Sequence, residues 1–275
     1  MSEGAGTDLA DDLARTLAVV DAADELSTSH FEGLAGLAVE TKPDLSPVTE
    51  ADRSVERLVR ERLAAENPGD AVVGEEYGTD DGPGGGTGRR WIVDPIDGTQ
   101  NFIRGVPVWA TLLALEIDGE GALGVVSAPA LGMRWWATRG AGAFRNGRRI
   151  RVSEVSDPAD AYVAYDSIPE MERFGLGDAH LDLVRRAHRS RGFGDFWSHV
   201  LVAQGACDIA VEPRVNHWDW APLRVIVEEA GGRATDLDGS PLHGKSGILT
   251  SNGRLHREAV AVYSGHGAAR TDPGA

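Results

Sequence analysis

A single cysteine among 275 residues, Cys207, excludes an internal disulfide and suits a reducing compartment. It lies in the apolar run LVAQGACDIAV, where a buried, inert thiol is the expected reading rather than a nucleophile. Positive charge is scarce too: 27 lysines and arginines stand against 43 aspartates and glutamates, a formal charge of −16. A field of that sign repels nucleic acid and anionic bilayer surfaces, so neither is expected as a partner. No apolar run is long enough for a transmembrane helix. The acidic start, MSEGAGTDLADD, has neither the basic nor the apolar part of a signal peptide, and no internal repeat is present. The expectation is a soluble cytoplasmic protein. Its 41% hydrophobic content is ample for a core, and its length suits one large or two closely packed domains.

Apolar residues at helical spacing (Leu9, Leu13, Leu17, Val20, Leu26) predict a helix over 8–32, closed near Gly33. The two prolines in KPDLSP keep that segment extended. Thr49, with Asp52 three residues on, predicts a capped helix running to about Glu66. A short strand, Ala71 to Val73, then delivers Gly74-Glu75-Glu76, and DDGPGGGTG (residues 80–88) reads as a mobile loop. A strand over Trp91 to Val93 ends at Asp94-Pro95. Residues 106–153 alternate apolar runs with Asp-Gly and Asn-Gly turns, as an antiparallel meander does. Beyond about residue 155, strands and helices alternate in an α/β rhythm. Helices are expected near 178–187, 196–205 and 220–230, strands at 161–165, 207–211 and 247–250, and a last helix near the end. The first domain is therefore set at 1–155, the second at 156–265, and 266–275 as a disordered tail.

The segment WIVDPIDGTQNF carries most of the chemistry. Pro95 holds Asp94 extended, and Asp97 follows where the chain turns toward a helix starting near Gly98. Two carboxylates about 4 Å apart repel by roughly 4 kcal/mol at an effective dielectric near 20, so the pair requires a proton or a hard cation. Oxygen-only donors, with the Ile96 carbonyl among them, favour magnesium. The amides of Gly98 and Thr99 offer a phosphate cradle at the helix start. The segment alone leaves open that Asp94 is a plain strand end and Asp97 a helix cap. Glu75 also emerges from a short strand. Asp219, in HWDWA, opens a helix ending in EEAGG and is either a cap or a metal ligand.

GEE, WIVDPIDGTQNF and WDWAPLRVIVEEAGG, in that order, resemble the inositol monophosphatase superfamily of metal-dependent phosphatases, and the resemblance spans almost the whole chain. It implies a layered αβαβα sandwich of the inositol monophosphatase and fructose-1,6-bisphosphatase type, two or three Mg2+ per site, and a homodimer. It further implies that Glu75, Asp94 and the Ile96 carbonyl hold one ion, and that Asp94, Asp97 and Asp219 hold the second. Thr99 and Glu75 resemble the pair that orients the attacking water, and the Gly98 and Thr99 amides meet the phosphate. Asp52 matches an acidic residue near a further metal or water network, and Lys42 a supporting lysine. Both have simpler readings, as a cap and as a surface charge. Pro222 departs from the family's usual small residue. Within a first helical turn it would cost no hydrogen bond.

Arg191, Asp195 and Glu212 fall where the family places substrate contacts, although Asp195 could equally cap the helix expected from Phe196. Two carboxylates there suit an amine-bearing ester such as histidinol phosphate, with Arg191 approaching the substrate or balancing Asp195. The segments TKPDLSPVTEAD, RGVPVWATLLAL, GVVSAPALGMRWWATRGAGAF and RGFGDF look like the histidinol-phosphate phosphatases of this superfamily from actinobacteria. The alternatives are an inositol monophosphatase of broad specificity and a non-catalytic phosphate-binding scaffold.

Overall fold

The computed structural model describes residues 9–34, 39–41, 47–82 and 88–264. Lys42, the tail from 266 and the centre of the glycine-rich loop lie outside these residues. Helices α1 (Leu9–Glu32) and α2 (Glu50–Glu66) flank a short antiparallel ladder of β1 (Val39–Thr41) and β2 (Pro47–Thr49). Thr49 caps α2 through the expected capping box with Asp52. Next come β3 (Ala71–Gly74), β4 (Gly78–Asp80), β5 (Arg89–Asp97) and the five-residue helix α3 (Thr99–Ile103). The expected meander follows as β6 (Ala110–Ile117), β7 (Glu120–Ala128), β8 (Met133–Thr138), β9 (Gly142–Arg145) and β10 (Arg148–Arg149). These strands form one sheet in the order β10-β9-β8-β7-β6-β5-β3-β4, antiparallel except for the β3–β5 pair.

The second half supplies β11 (Tyr162–Tyr165), α4 (Ile168–Arg173), α5 (Gly177–Arg186), β12 (Arg189–Gly192), α6 (Asp195–Ala203), β13 (Ile209–Val215), α7 (His217–Glu229), β14 (Arg233–Thr235), β15 (Ser246–Ser251) and α8 (His256–Ser264). Their sheet runs β12-β11-β13-β15-β14, parallel over its first three strands and antiparallel over the rest. The short elements α4 and β14 carry too little periodicity to be read from the sequence.

Strand alternation builds the layers. Along β5 and β6, Ile92, Leu112 and Ala114 pack with α6 and α7, while Trp91, Val93, Leu113 and Leu115 pack with α1 and α2. Across the middle helices, Val215 and Ile248 of the small sheet join the same core. The far face of that sheet, with Val163, Val211 and Leu249, is covered by α4, α5 and α8. The order helices, large sheet, α6 with α7, small sheet, helices is the αβαβα sandwich expected. Each fully buried aliphatic side chain in these cores contributes about 1.5–3 kcal/mol. Among the described residues no helix is long and apolar enough to cross a membrane.

Two expectations need correction. β5 does not end at Asp94 but runs on to Asp97 through an irregularity in its pairing with β6. α7 begins at His217 rather than Trp220, so Pro222 lies in its second turn and deprives the Trp218 carbonyl of its usual partner. Packing accounts for this: the Pro222 backbone lies directly on Gly124 of β7, where a side chain would collide with the Pro222 carbonyl.

Candidate metal and active site

Because even-numbered residues of β5 face the middle helices, Asp94 is directed toward the layer that contains α7. The bulge after it then re-aims the chain. The Asp94 carboxylate accepts the Ile96 amide at 3.0 Å, and the Thr111 hydroxyl holds the Pro95 carbonyl at 2.9 Å. Gly98 follows in a left-handed conformation (φ 81°), and a side chain on it would meet the Val108 carbonyl at 3.0 Å, so glycine is needed there for both shape and space. Gly98 is also the cap residue of α3, which removes the reading of Asp97 as that cap.

Asp97 reaches across the molecule instead. Its carboxylate accepts the Phe196 amide, at the start of α6, at 2.7 Å. Asp219 is not a simple cap either. Asn216 caps α7, and Asp219, three residues on, closes the capping box by accepting the Asn216 amide at 2.6 Å. His217 steadies the same helix start through Glu116 at 2.7 Å.

One oxygen each from Asp94, Asp97 and Asp219 falls within 4.8 Å of the other two. Asp94 is 2% exposed, and its carboxyl lies well above the ordinary carboxylate range because of burial first and the charges of Glu75, Asp97 and Asp219 next. Burial likewise raises Asp97, with Asp195 the strongest charge against it, and pushes Asp219 up to about 6 despite its amide bonds. The donors are carboxylates with the Ile96 carbonyl adjacent, and no histidine or cysteine belongs to the cluster. Such a set fits a hard divalent cation.

Glu75 lies outside that tight trio but lines the same cavity, and it is near enough for its charge to raise Asp94. Its turn is pinned from below: the fully buried Glu56 of α2 accepts the amides of Glu76 at 2.7 Å and Tyr77 at 3.2 Å. Asp52, besides capping α2, accepts the Thr99 hydroxyl at 3.3 Å, and the Ile96 carbonyl lies 3.0 Å from the same hydroxyl. Two helices thus place the Thr99 hydroxyl between the Asp52 carboxylate and the Ile96 carbonyl.

Glu75, Asp94, Ile96, Asp97, Gly98, Thr99, Asp195, Glu212 and Asp219 all line one cavity of about 510 Å³. Arg191 does not. It is exposed on the edge strand β12, with its guanidinium on the Ser190 carbonyl at 2.8 Å. Nor is Asp195 a cap, since Gly194 precedes it in that position and Asp195 is the first residue of α6. Sequence reasoning missed Asp166, Glu170 and His199, all on the cavity wall. Asp166 sits just past β11, and a carboxylate at the carboxyl end of a parallel strand is the signal that could have found it. Burial, then the charges of Glu212 and Asp166, raise Asp195. Burial, then Asp166 and Asp219, raise Glu212. His199, lowered to about 3 by burial and hence neutral, joins Glu212 at 3.1 Å and Thr250 at 2.8 Å.

Raised carboxyl groups keep protons that the unfolded chain has already released. Their contribution to stability is complete below about pH 4 and is lost as pH rises through the folded values, which for Asp219 is about 6. Melting of the metal-free protein should therefore fall by roughly 5 °C or more between pH 5 and pH 8. Magnesium should raise Tm more at pH 8 than at pH 5. A pH-independent increment would contradict the coupling of these carboxylates to the cation.

The model of the inositol monophosphatase family matches residues 9–267. A histidinol-phosphatase of Mycobacterium tuberculosis is 51% identical over 256 residues, covering 91% of this chain and 96% of that protein. One from Streptomyces coelicolor is 48% identical over 94% of this chain and 98% of its own length. Among solved structures, the extragenic suppressor protein suhB of Bartonella henselae superposes with a TM-score of 0.85 at 28% identity, over 92% of this chain and 98% of that one. A Thermotoga maritima IMPase does so with a TM-score of 0.82 at 34% identity, over 92% and 96%.

Proposed function

The chain belongs to the inositol monophosphatase family, and from that premise we propose that its substrate is histidinol phosphate, cleaved to histidinol and inorganic phosphate. It is a phosphoric monoester hydrolase. The observation that carries the choice of substrate is the second group of carboxylates, Asp166, Asp195 and Glu212, on the wall of the cavity that holds the aspartate cluster. A neutral alcohol has no use for that much negative charge, whereas an ammonium and an imidazole do. The half of the chain before residue 155 handles phosphate and water, and the half after it reads the alcohol and completes the cluster through Asp219.

Asp94, Asp97, Asp219, Glu75 and the Ile96 carbonyl hold two or three magnesium ions in this reading. Bound there, the ions supply charge neutralisation and Lewis acidity toward phosphate and water. Thr99 and Glu75 orient the attacking water, and Asp52 accepts the Thr99 proton so that the hydroxyl oxygen presents a lone pair. The amides of Gly98 and Thr99 meet the phosphate. The anionic pocket repels the phosphate dianion until cations are in place, so turnover requires metal. A cytoplasmic homodimer belongs to the same reading, and the buried Cys207 thiol is consistent with a reducing compartment.

Phosphate release measured side by side on histidinol phosphate, inositol-1-phosphate and fructose-1,6-bisphosphate tests the substrate. kcat/KM should favour histidinol phosphate by at least a hundredfold, and a preference for the inositol ester would reject it. Glu212→Gln should raise KM for histidinol phosphate more than tenfold and KM for the inositol ester much less. Equal effects on the two esters would remove the argument from charge.

A further inference from the structure

Three described residues other than glycine have a left-handed backbone: Asp118, Asn146 and Asp195. The first two lead Asp-Gly and Asn-Gly hairpin turns, where that conformation is required. Asp195 (φ 51°) has no hairpin to account for it and stands at the head of α6 on the cavity wall. Such a backbone persists only where its surroundings hold it. The holder is visible. The Asn101 side-chain amide, on α3, donates to the Asp195 Oδ2 at 3.1 Å and to the Val108 carbonyl at 3.0 Å. The same Oδ2 lies 3.3 Å from the point a side chain on Gly98 would occupy, so the carboxylate rests against the start of α3. The next residue, Phe196, gives its amide to Asp97.

The geometry points to Asn101 as a positioning residue for substrate discrimination: by clamping Oδ2 of Asp195 to α3, it leaves Oδ1 to meet the cationic part of the ester at a fixed distance from the phosphate end. This rests on the reading of Asp195 as a carboxylate that recognises an amine. Asn101 lies within the motif that also carries Asp94, Asp97 and Thr99, so the element that sets the phosphate end also sets the reach to the cation.

The test is a double-mutant cycle with Asp195→Asn, read as KM and kcat on histidinol phosphate and on inositol-1-phosphate, in the full-length protein with magnesium. Asn101→Leu should raise KM for histidinol phosphate about tenfold with kcat changed less than threefold, and should raise KM for the inositol ester by less than threefold. In the Asp195→Asn background the same substitution should add less than a further twofold. Asn101→Ser, which is too short to span to Asp195, should match Asn101→Leu and serves if the leucine variant fails to give a cooperative melt. Equal KM increases on both esters, a loss confined to kcat, or additive effects in the double variant would overturn the positioning role. The two claims fail separately. An Asp195→Asn variant with unchanged preference refutes amine recognition by Asp195, whereas lost preference in Asp195→Asn with none lost in Asn101→Leu refutes only the clamp.

Discussion

Asp94→Asn should reduce kcat/KM on the order of 10³-fold or more and weaken magnesium binding at least a hundredfold, while the metal-free protein melts no lower than the parent. The three expectations have one origin. Asp94 is almost wholly buried, yet it keeps company with the charges of Glu75, Asp97 and Asp219, and without a cation this is a repulsive arrangement. An asparagine of the same shape keeps a side-chain oxygen for the Ile96 amide, so local backbone geometry survives. Removing the charge relieves the repulsion in the empty site and destroys attraction in the filled one. The gain in metal-free stability should be greatest above pH 7, where the parent carboxylates are most completely ionised. Calorimetric magnesium titration, melting curves at pH 5 and 8, and phosphate release together check it. Near-normal turnover with near-normal magnesium affinity would remove Asp94 from the metal centre.

Thr99→Ala should lower kcat by 10²- to 10⁴-fold, the range for loss of a positioned proton-transfer group, with KM altered less than threefold. The hydroxyl lies between the Asp52 carboxylate at 3.3 Å and the Ile96 carbonyl at 3.0 Å, so what the substitution removes is an oriented oxygen rather than packing. Alanine is compatible with α3, and Gly98 still caps that helix. Thr99→Ser should recover most of the rate, because serine keeps the hydroxyl and loses only a methyl group. Asp52→Asn should fall between the two, since an amide can still meet Thr99 but takes no proton. A loss below tenfold in Thr99→Ala, with magnesium saturating, would show that water is oriented by other groups.

The pairing of Asp94 with Asp97 was legible because its signals are local: a strand, a proline that holds Asp94 extended, and a glycine that permits the turn after Asp97. Helix α2 was legible for the same reason, its Thr49 and Asp52 standing three apart. Asn216 and Asp219 repeat that spacing, yet the sequence reading leaves Asp219 open as a cap or a metal ligand and starts the helix about three residues late, at Trp220. That displacement also put Pro222 in the wrong turn. Other features depend on register that no local pattern encodes. Arg191 is left exposed on β12, the edge strand of its sheet, and Asp166 meets the cavity from just past β11, which lies between β12 and β13. The Asn101–Asp195 bond spans 94 positions, and the Thr99–Asp52 bond 47. Spacing rules cannot anticipate contacts of that range.

The bond from the Phe196 amide to Asp97 restricts how this scaffold could change its diet. The segment from Gly192 to Phe196 delivers a main-chain donor to Asp97 and, one residue earlier, a carboxylate to the cavity wall, so in the proposed reading it serves both a cation ligand and the ester. An inserted or deleted residue there would drag the donor away and disable hydrolysis of every ester alike. New preferences are therefore reachable by exchanging the side chain at Asp195 within a segment of constant length, or those of Asp166 past β11 and Glu212 on β13, and lineages with altered appetite should differ there in letters rather than in gaps.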